Sequence, residues 1–268
     1  MGRRIGIIAG GSQFPMLVAK EARKRGDKII TAAIKGITSS ELQKYSDEIR
    51  WFEIHELDNL ISYFKEKNVI EALMAGKVQH SLIYSDFKPY SDAEKFISTL
   101  ERKNTTSILN EIGRVLESNG IKIIDSTAFL QNLLPDEGIL TVKKIDEETL
   151  KDIEYGWKIA KKISEMDIGQ SIAVKNGAVV AVEAMEGTDM MIKRAGKIAG
   201  NGIVAIKVSR PQQDMRYDVP VLGLLTIKNL VKINASALVF EAKKTIFFSQ
   251  KKAISFADQH GLSIISKK

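Results

Sequence analysis

The sequence predicts an α/β protein, with a parallel sheet in its N-terminal half and a separate mixed α/β domain in its C-terminal half. Three observations carry this. Short apolar runs alternate with amphipathic stretches from Arg4 to Asp125, the pattern of strand–helix–strand units. Asn176-Gly177 sits between two apolar runs, a strong signal for an antiparallel hairpin with a two-residue turn. Between these regions, acidic residues crowd residues 136–154 around a single short apolar run, which marks a boundary.

In chain order, Arg4 to Gly10 is an apolar run ending in Gly10-Gly11-Ser12, so it reads as a strand leading into a tight loop. The helix that follows reaches Arg25, with Pro15 in its first turn, where the missing N–H costs nothing. Gly26 ends that helix and Lys28 to Ile34 makes a second strand. Leu57 to Lys67 reads as a helix, Val69 to Gly76 as a buried strand, Ile108 to Glu117 as a helix closed by Gly120, and Ile121 to Asp125 as a strand. Ligands of such a sheet sit at the carboxyl ends of its strands. The expected domains are residues 1–135, a linker over 136–148, and residues 149–268. The second domain opens with a helix from Thr149 to Ile163. Strands Gln170–Lys175 and Ala178–Glu183 follow, then a strand from Gly202 to Val208 and another from Ala237 to Glu241.

Composition narrows the chemistry. The chain has 268 residues, 44% hydrophobic and 27% charged, the balance of a soluble globular protein. It has no cysteine and only three scattered histidines, His55, His80 and His260. Thiolate and imidazole-based metal sites are therefore disfavoured, and a metal would rest on oxygen ligands. The four apolar residues after Arg4 are too few for a signal peptide, and no run approaches the ~20 needed to cross a bilayer, so a cytoplasmic location is expected. A net charge of +7 suits anionic partners such as phosphates or a membrane face. No dense Lys/Arg run is interleaved with aromatics, so nucleic acid is not an expected partner.

The loop Gly10-Gly11-Ser12-Gln13-Phe14-Pro15 invites a nucleotide reading, because glycines let backbone approach a phosphate and the next helix offers free N–H groups. The dinucleotide fingerprint is not met: a third glycine is missing, and Lys35-Gly36 stand where a ribose-binding acid would. Phosphate contact is favoured over a purely structural turn, and nicotinamide chemistry is the rival reading. Lys77, after the strand ending at Gly76, would flank the same crevice.

Three C-terminal segments carry the groups that phosphoryl chemistry needs. They are Asp167-Ile168-Gly169-Gln170, Glu183-Ala184-Met185-Glu186-Gly187-Thr188-Asp189, and Lys207 to Pro220, which contains Gln213-Asp214-Met215-Arg216-Tyr217-Asp218. A pyrophosphate repels an attacking water, so cations must neutralise it and a carboxylate must take the water's proton. Carboxylate-bound Mg²⁺ or Mn²⁺ can bridge phosphate oxygens. Arg210 and Arg216 can grip phosphate through two N–H groups, and Lys207 can act as a point charge. Each segment also has a plain reading: Thr188 or Asp189 as a helix cap, and the Asp/Arg loops as surface ion pairs.

In this order, together with Met74-Ala75-Gly76-Lys77-Val78 and the closing Ala257-Asp258-Gln259-His260-Gly261-Leu262, these segments resemble the UDP-2,3-diacylglucosamine pyrophosphatases of the LpxI type. The resemblance runs from residue 5 to about 265, and the E-A-x-E-G-T-D and Q-D-x-R-x-D motifs are specific in combination. It implies a Rossmann-like N-terminal domain, a C-terminal α/β catalytic domain and a divalent metal, Mg or Mn. The implied reaction hydrolyses UDP-2,3-diacylglucosamine to UMP and 2,3-diacylglucosamine 1-phosphate (lipid X) in lipid A biosynthesis. Two departures stand out. The first loop reads Gly-Gly-Ser where a Gly-Ser-Gly order is commoner, and Lys103-Asn104-Thr105-Thr106-Ser107 lacks the acidic residues usual there.

The resemblance implies that an aspartate of the Gln213–Asp218 segment is essential. Asp214 is favoured over Asp218, and Arg216 completes the catalytic set. Gly10, Gly11, Ser12, Lys77, Gln170, Thr188 and Gln213 are expected to bind substrate, and Glu186, Asp189 and Asp214 to ligate metal. The basic surface could bring the protein to the anionic face of the inner membrane. A homodimer is left open, and the rival to catalysis is a non-catalytic carrier of a nucleotide-linked lipid.

Overall fold

The computed structural model describes residues 2–78 and 105–268, so His80, Lys103 and Asn104 lie outside the described residues. The protein is α/β, with a parallel sheet in one compact unit and a mixed sheet in another.

The first unit comprises Met1–Gln131 together with Asp214–Asp218. Its strands are β1 (Arg4–Ala9), β2 (Lys28–Ile34), β3 (Glu48–Phe52), β4 (Glu71–Ala75) and β5 (Lys122–Ile123), in the order β3-β2-β1-β4-β5 and all parallel. The strand order reverses between β1 and β4, the switch point where open α/β sheets bind ligands. Helices α1 (Phe14–Lys24), α2 (Leu57–Glu66) and α3 (Thr105–Ser118) connect the strands. β2 is buried along its length after Lys28, as expected for a strand covered on both faces. β3 was not expected from the sequence. Its Glu-Ile-Arg-Trp-Phe pattern is that of a half-exposed edge strand. One core packs Ile30, Phe52, Leu60, Phe64, Leu116 and Ile123 between sheet and helices, with Ile108, Ile112 and Tyr217 against it.

The second unit comprises Asn132–Gln213 and Val219–Lys268. Its six-stranded sheet has the order β6-β13-β11-β9-β7-β8. The strands are β6 (Gly138–Ile139), β7 (Ser171–Lys175), β8 (Ala178–Val182), β9 (Val204–Lys207), β11 (Ala237–Glu241) and β13 (Ser263–Lys267). β9, β11 and β13 are parallel, while β6, β7 and β8 run antiparallel to their neighbours. A short parallel pair, β10 (Val221–Leu222) and β12 (Ile246–Phe247), stands apart. The helices are α4 (Glu147–Glu165), α5 (Thr188–Ala199), α6 (Leu224–Lys232) and α7 (Gln250–Gln259).

One face of this sheet packs a core that includes Met191, Ile227, Phe240 and Phe247, and the other a core that includes Ile153, Ala160, Ile172 and Val239. Gly156 lets α4 lie close on the sheet, since a Cβ there would meet Ile206 Cδ1 at 2.5 Å and Val174 Cγ2 at 2.7 Å. Asp146 caps α4 by accepting from Thr149 N at 2.7 Å. The buried carboxylate of Asp152 accepts from Gly177 N at 2.6 Å and Asn176 N at 2.9 Å, clamping the β7–β8 turn. Both turn residues have positive φ, Asn176 51° and Gly177 73°, as this hairpin type requires.

Two expectations about chain organisation change. Residues 136–148, expected as a linker, belong to the second unit, where Gly138 and Ile139 pair with Ser266 and Ile265 of β13. The Asp214–Asp218 segment, expected within the C-terminal domain, belongs to the first unit.

Candidate active site

The loops after β1 and β4 meet at the switch point of the first sheet. Gly10 N donates to Ala75 O at 2.8 Å, Gly11 N to Lys77 O at 2.9 Å, and Lys77 N to Gly11 O at 2.8 Å. Gly76 has φ 103°, and a Cβ on it would meet Gly11 O at 2.6 Å. The glycines therefore serve a close approach of two backbones, and the Gly10 and Gly11 amides are occupied by carbonyls. Ser12 (φ 90°) turns the chain into α1, and its hydroxyl accepts from Phe14 N at 3.2 Å. Lys77 is exposed beside this loop. Exposed at the switch point are thus Ser12, Gln13 and the Lys77 side chain, while Phe14 and Pro15, which open α1, are buried.

The Asp214–Asp218 segment forms a compact turn built around Asp214. Its carboxylate accepts from Arg216 N at 3.0 Å and from Arg216 Nε and Nη2 at 3.1 and 2.8 Å. Its carbonyl accepts from Tyr217 N at 3.1 Å and Asp218 N at 3.2 Å. The hydrogen bonds from the Arg216 guanidinium outweigh partial burial and hold the Asp214 carboxyl below the usual carboxylate range. Arg216 Nη1 also reaches Glu117 Oε1 at 3.0 Å. Arg216, expected on phosphate, is here the group that orients Asp214, with two of its five N–H groups beyond these bonds. Asp218 and Asp214 sit on the same turn, held together by the Asp218 N bond.

In the second unit the E-G-T-D motif begins α5, and Lys207 ends β9. Lys207 is 7% exposed, and its Nζ donates to Thr188 Oγ1 at 2.8 Å and Ser171 Oγ at 3.4 Å. Thr188 Oγ1 in turn donates to Glu183 Oε1 at 3.0 Å, while Glu183 Oε2 lies 4.0 Å from Lys207 Nζ. A buried cation and a buried carboxylate are thus bridged by one hydroxyl. Thr188, expected on substrate, has its proton and its acceptor capacity committed to this network.

The other second-unit residues are placed as follows. Glu186 accepts from Arg194 Nη2 at 2.5 Å and from Ala184 N at 3.0 Å; partial desolvation pushes its carboxyl up, but these bonds prevail and hold it low. Asp189 accepts from Asn229 Nδ2 at 3.1 Å. Gln213 Oε1 accepts from Arg210 N at 3.1 Å, and Arg210 Nε donates to Asp167 Oδ1 at 2.7 Å. Gln170 contributes its carbonyl, which accepts from Val208 N at 2.8 Å.

Among the described residues, no group of three or more His, Asp or Glu side chains converges to hold a metal ion. Glu186 and Asp189 are engaged by Arg194 and Asn229, and Asp214 by Arg216.

Two groups escaped the sequence reading. One is Glu183 as the acid partner of Lys207, although it opens the E-A-x-E-G-T-D motif. The other is Glu241, at the end of β11. It accepts from Lys161 Nζ at 2.6 Å, Ser209 N at 2.8 Å and Lys244 Nζ at 3.0 Å, anchoring the start of the loop that leads to Asp214. No local motif marks Glu241, and only its placement at the carboxyl end of a parallel strand could have pointed to it.

Among the described residues no helix is long and apolar enough to cross a membrane. Two family models match the chain, the LpxI N-terminal domain over residues 4–133 and the LpxI C-terminal domain over residues 136–265. The UDP-2,3-diacylglucosamine pyrophosphatase LpxI of Caulobacter vibrioides is 26% identical over 275 residues, covering 98% of this chain and 97% of its own length. Among solved structures, the phosphoribosylglycinamide synthetase of Anaerococcus prevotii matches 65% of this chain at 14% identity and a TM-score of 0.27. The biotin carboxylase domain of the Hydrogenobacter thermophilus 2-oxoglutarate carboxylase matches 74% at 12% identity and a TM-score of 0.31. This chain spans 31% and 41% of those two, and likeness at this level carries no argument.

Proposed function

We propose that this chain, which belongs to the LpxI family, hydrolyses the pyrophosphate bond of UDP-2,3-diacylglucosamine, releasing UMP and 2,3-diacylglucosamine 1-phosphate in lipid A biosynthesis. The observation that carries the reading is the end-to-end correspondence with a pyrophosphatase of that name. The oriented Asp214 turn supports it by supplying a fixed carboxylate of the kind the reaction needs.

In the proposed reaction, a water oxygen bonds to one phosphorus as the bridging P–O bond breaks, leaving two phosphate monoesters and one proton. Asp214 is kept ionised and aimed by Arg216, so it can hold the attacking water through a hydrogen bond. Its low pKa makes it a weak final acceptor, and the proton passes to a product phosphate, whose second pKa is about 6. Asp218 is the second carboxylate of the same turn. Ser12 and Lys77, both exposed, form the anion-binding end of the first unit, while Gly10 and Gly11 shape its loop. Lys207 and Thr188 hold the start of α5, and with it Glu186 and Asp189, in place. Gln170 and Gln213 keep the ends of their loops in register for substrate.

Dependence on Mg²⁺ or Mn²⁺ is part of the proposal: the carboxylates of Glu186, Asp189 or Asp214 would hold the ion. When bound it supplies charge neutralisation at the phosphates. The net charge of +7 supports a peripheral encounter with an anionic membrane face, where such a substrate resides. The test is direct: purified protein, substrate and either metal, with products read by mass spectrometry. UMP in stoichiometry with lipid X supports the reading, and unchanged substrate refutes it.

A further inference from the structure

We propose that Ser126 is a positioning residue for the carboxylate turn at residues 214–218, with Gly113 providing the seat for Tyr217; the functional part of this inference rests on the hydrolase reading above. Ser126 lies just past β5, at the carboxyl end of the first sheet. Asp125 fixes its backbone, because the Asp125 carboxylate accepts from Thr127 N and Thr127 Oγ1, both at 2.6 Å, and Ala128 N returns to Asp125 O at 3.0 Å. Ser126 is thereby presented rigidly, and it is 1% exposed.

It grips two consecutive carbonyls of the turn. Ser126 N donates to Met215 O at 3.0 Å, and its hydroxyl stands 2.8 Å from Arg216 O and 2.6 Å from Met74 O. One buried hydroxyl proton is therefore shared between the carboxylate turn and the end of β4, next to the switch point. On the other side of the turn, the Tyr217 ring lies on α3 where Gly113 has no side chain, and any Cβ there would collide with the ring. Arg216 Nη1 on Glu117 adds a third tie, the second to this helix. The three ties surround the peptide units that set the direction of the Asp214 carboxylate, while none of them uses that carboxylate itself. Ser126 and Gly113 therefore act on the chemistry only through geometry. A turn held by fewer ties would still bind substrate but would hold its water less well.

The experiment compares Ser126→Ala and Gly113→Ala with Thr31→Val. Thr31 Oγ1 pairs with Ser46 Oγ at 2.7 Å in the same unit but does not touch the turn, so it reports a merely structural hydroxyl. Both test variants should lower kcat by about 10- to 100-fold with KM nearly unchanged. Both should also speed hydrogen exchange at the amides of Arg216, Tyr217 and Asp218, and Thr31→Val should do neither. Exchange as slow as wild type in both test variants overturns the docking, and faster exchange with unchanged kcat overturns the positioning role. A KM effect alone, or an equal kcat loss in Thr31→Val, overturns it as well. If the wild type proves inactive on UDP-2,3-diacylglucosamine, the hydrolase reading fails, and the docking claim is still decided by exchange.

Discussion

Replacing Lys207 with Met removes a buried cation and leaves a side chain of similar shape. Lys207 Nζ is held by Thr188 and Ser171, and its acid partner Glu183 has a side chain only 12% exposed. Glu183 Oε2 has no hydrogen-bond partner of its own, so the ammonium 4.0 Å away is its main compensation. Breaking a buried pair by removing one partner costs about 3–5 kcal/mol. The separation of 4.0 Å and the retained bond from Thr188 to Glu183 favour the lower end, about 3 kcal/mol. At about 2–4 °C per kcal/mol, the second unit should lose roughly 6–12 °C in Tm. Calorimetry and urea unfolding measure this directly. Glu183→Gln in the same chain should recover part of the loss, because the cost comes mainly from the carboxylate left without its cation. A Lys207→Met variant within about 1 kcal/mol of wild type, or a double variant whose losses simply add, would refute the reasoning.

Other predictions come from the same geometry. Asp152→Ala removes two charge-assisted bonds to the Asn176-Gly177 turn and should cost about 2 kcal/mol in urea unfolding, with faster exchange at those two amides. Glu241 has a folded pKa below its ordinary value of 4.5: burial raises it, but the bonds from Lys161, Ser209 N and Lys244 more than offset this. A depressed carboxylate stabilises the fold above its unfolded pKa and loses that stabilisation as pH falls through the folded value. Glu241→Gln should therefore be less stable near neutral pH and show a flatter decline in stability below pH 4.5. Arg216→Lys keeps the charge but loses the paired Nε and Nη2 contacts to Asp214, and kcat should drop about tenfold with the protein still folded.

The sheet of the first unit was legible because buried parallel strands read as continuous apolar runs, and the β7–β8 hairpin because Asn176-Gly177 suits a turn with two positive φ values. β3, β6 and β13 were not. β3 alternates, β6 has only two residues, and Ser263-Ile264-Ile265-Ser266-Lys267 contains no long apolar run, so pairing partners elsewhere in the chain make them strands, as Gly138 and Ile139 depend on Ser266 and Ile265. The site was legible at the level of motifs. Sequence patterns put Thr188, Lys207 and Arg216 among chemically active groups, but which groups already satisfy one another depends on distances that spacing does not encode. The return of residues 214–218 to the first unit was hidden for the same reason. Tyr217 finds its place through Gly113, about a hundred positions earlier, and no local pattern announces such a contact.

The most direct test of the account is UMP release from UDP-2,3-diacylglucosamine by the wild type and by Asp214→Ala, each with Mg²⁺ or Mn²⁺ present. The account predicts one UMP per substrate from the wild type, and none from a variant that still folds and retains the lipid nucleotide. No UMP from the wild type, or undiminished release by Asp214→Ala, would contradict it.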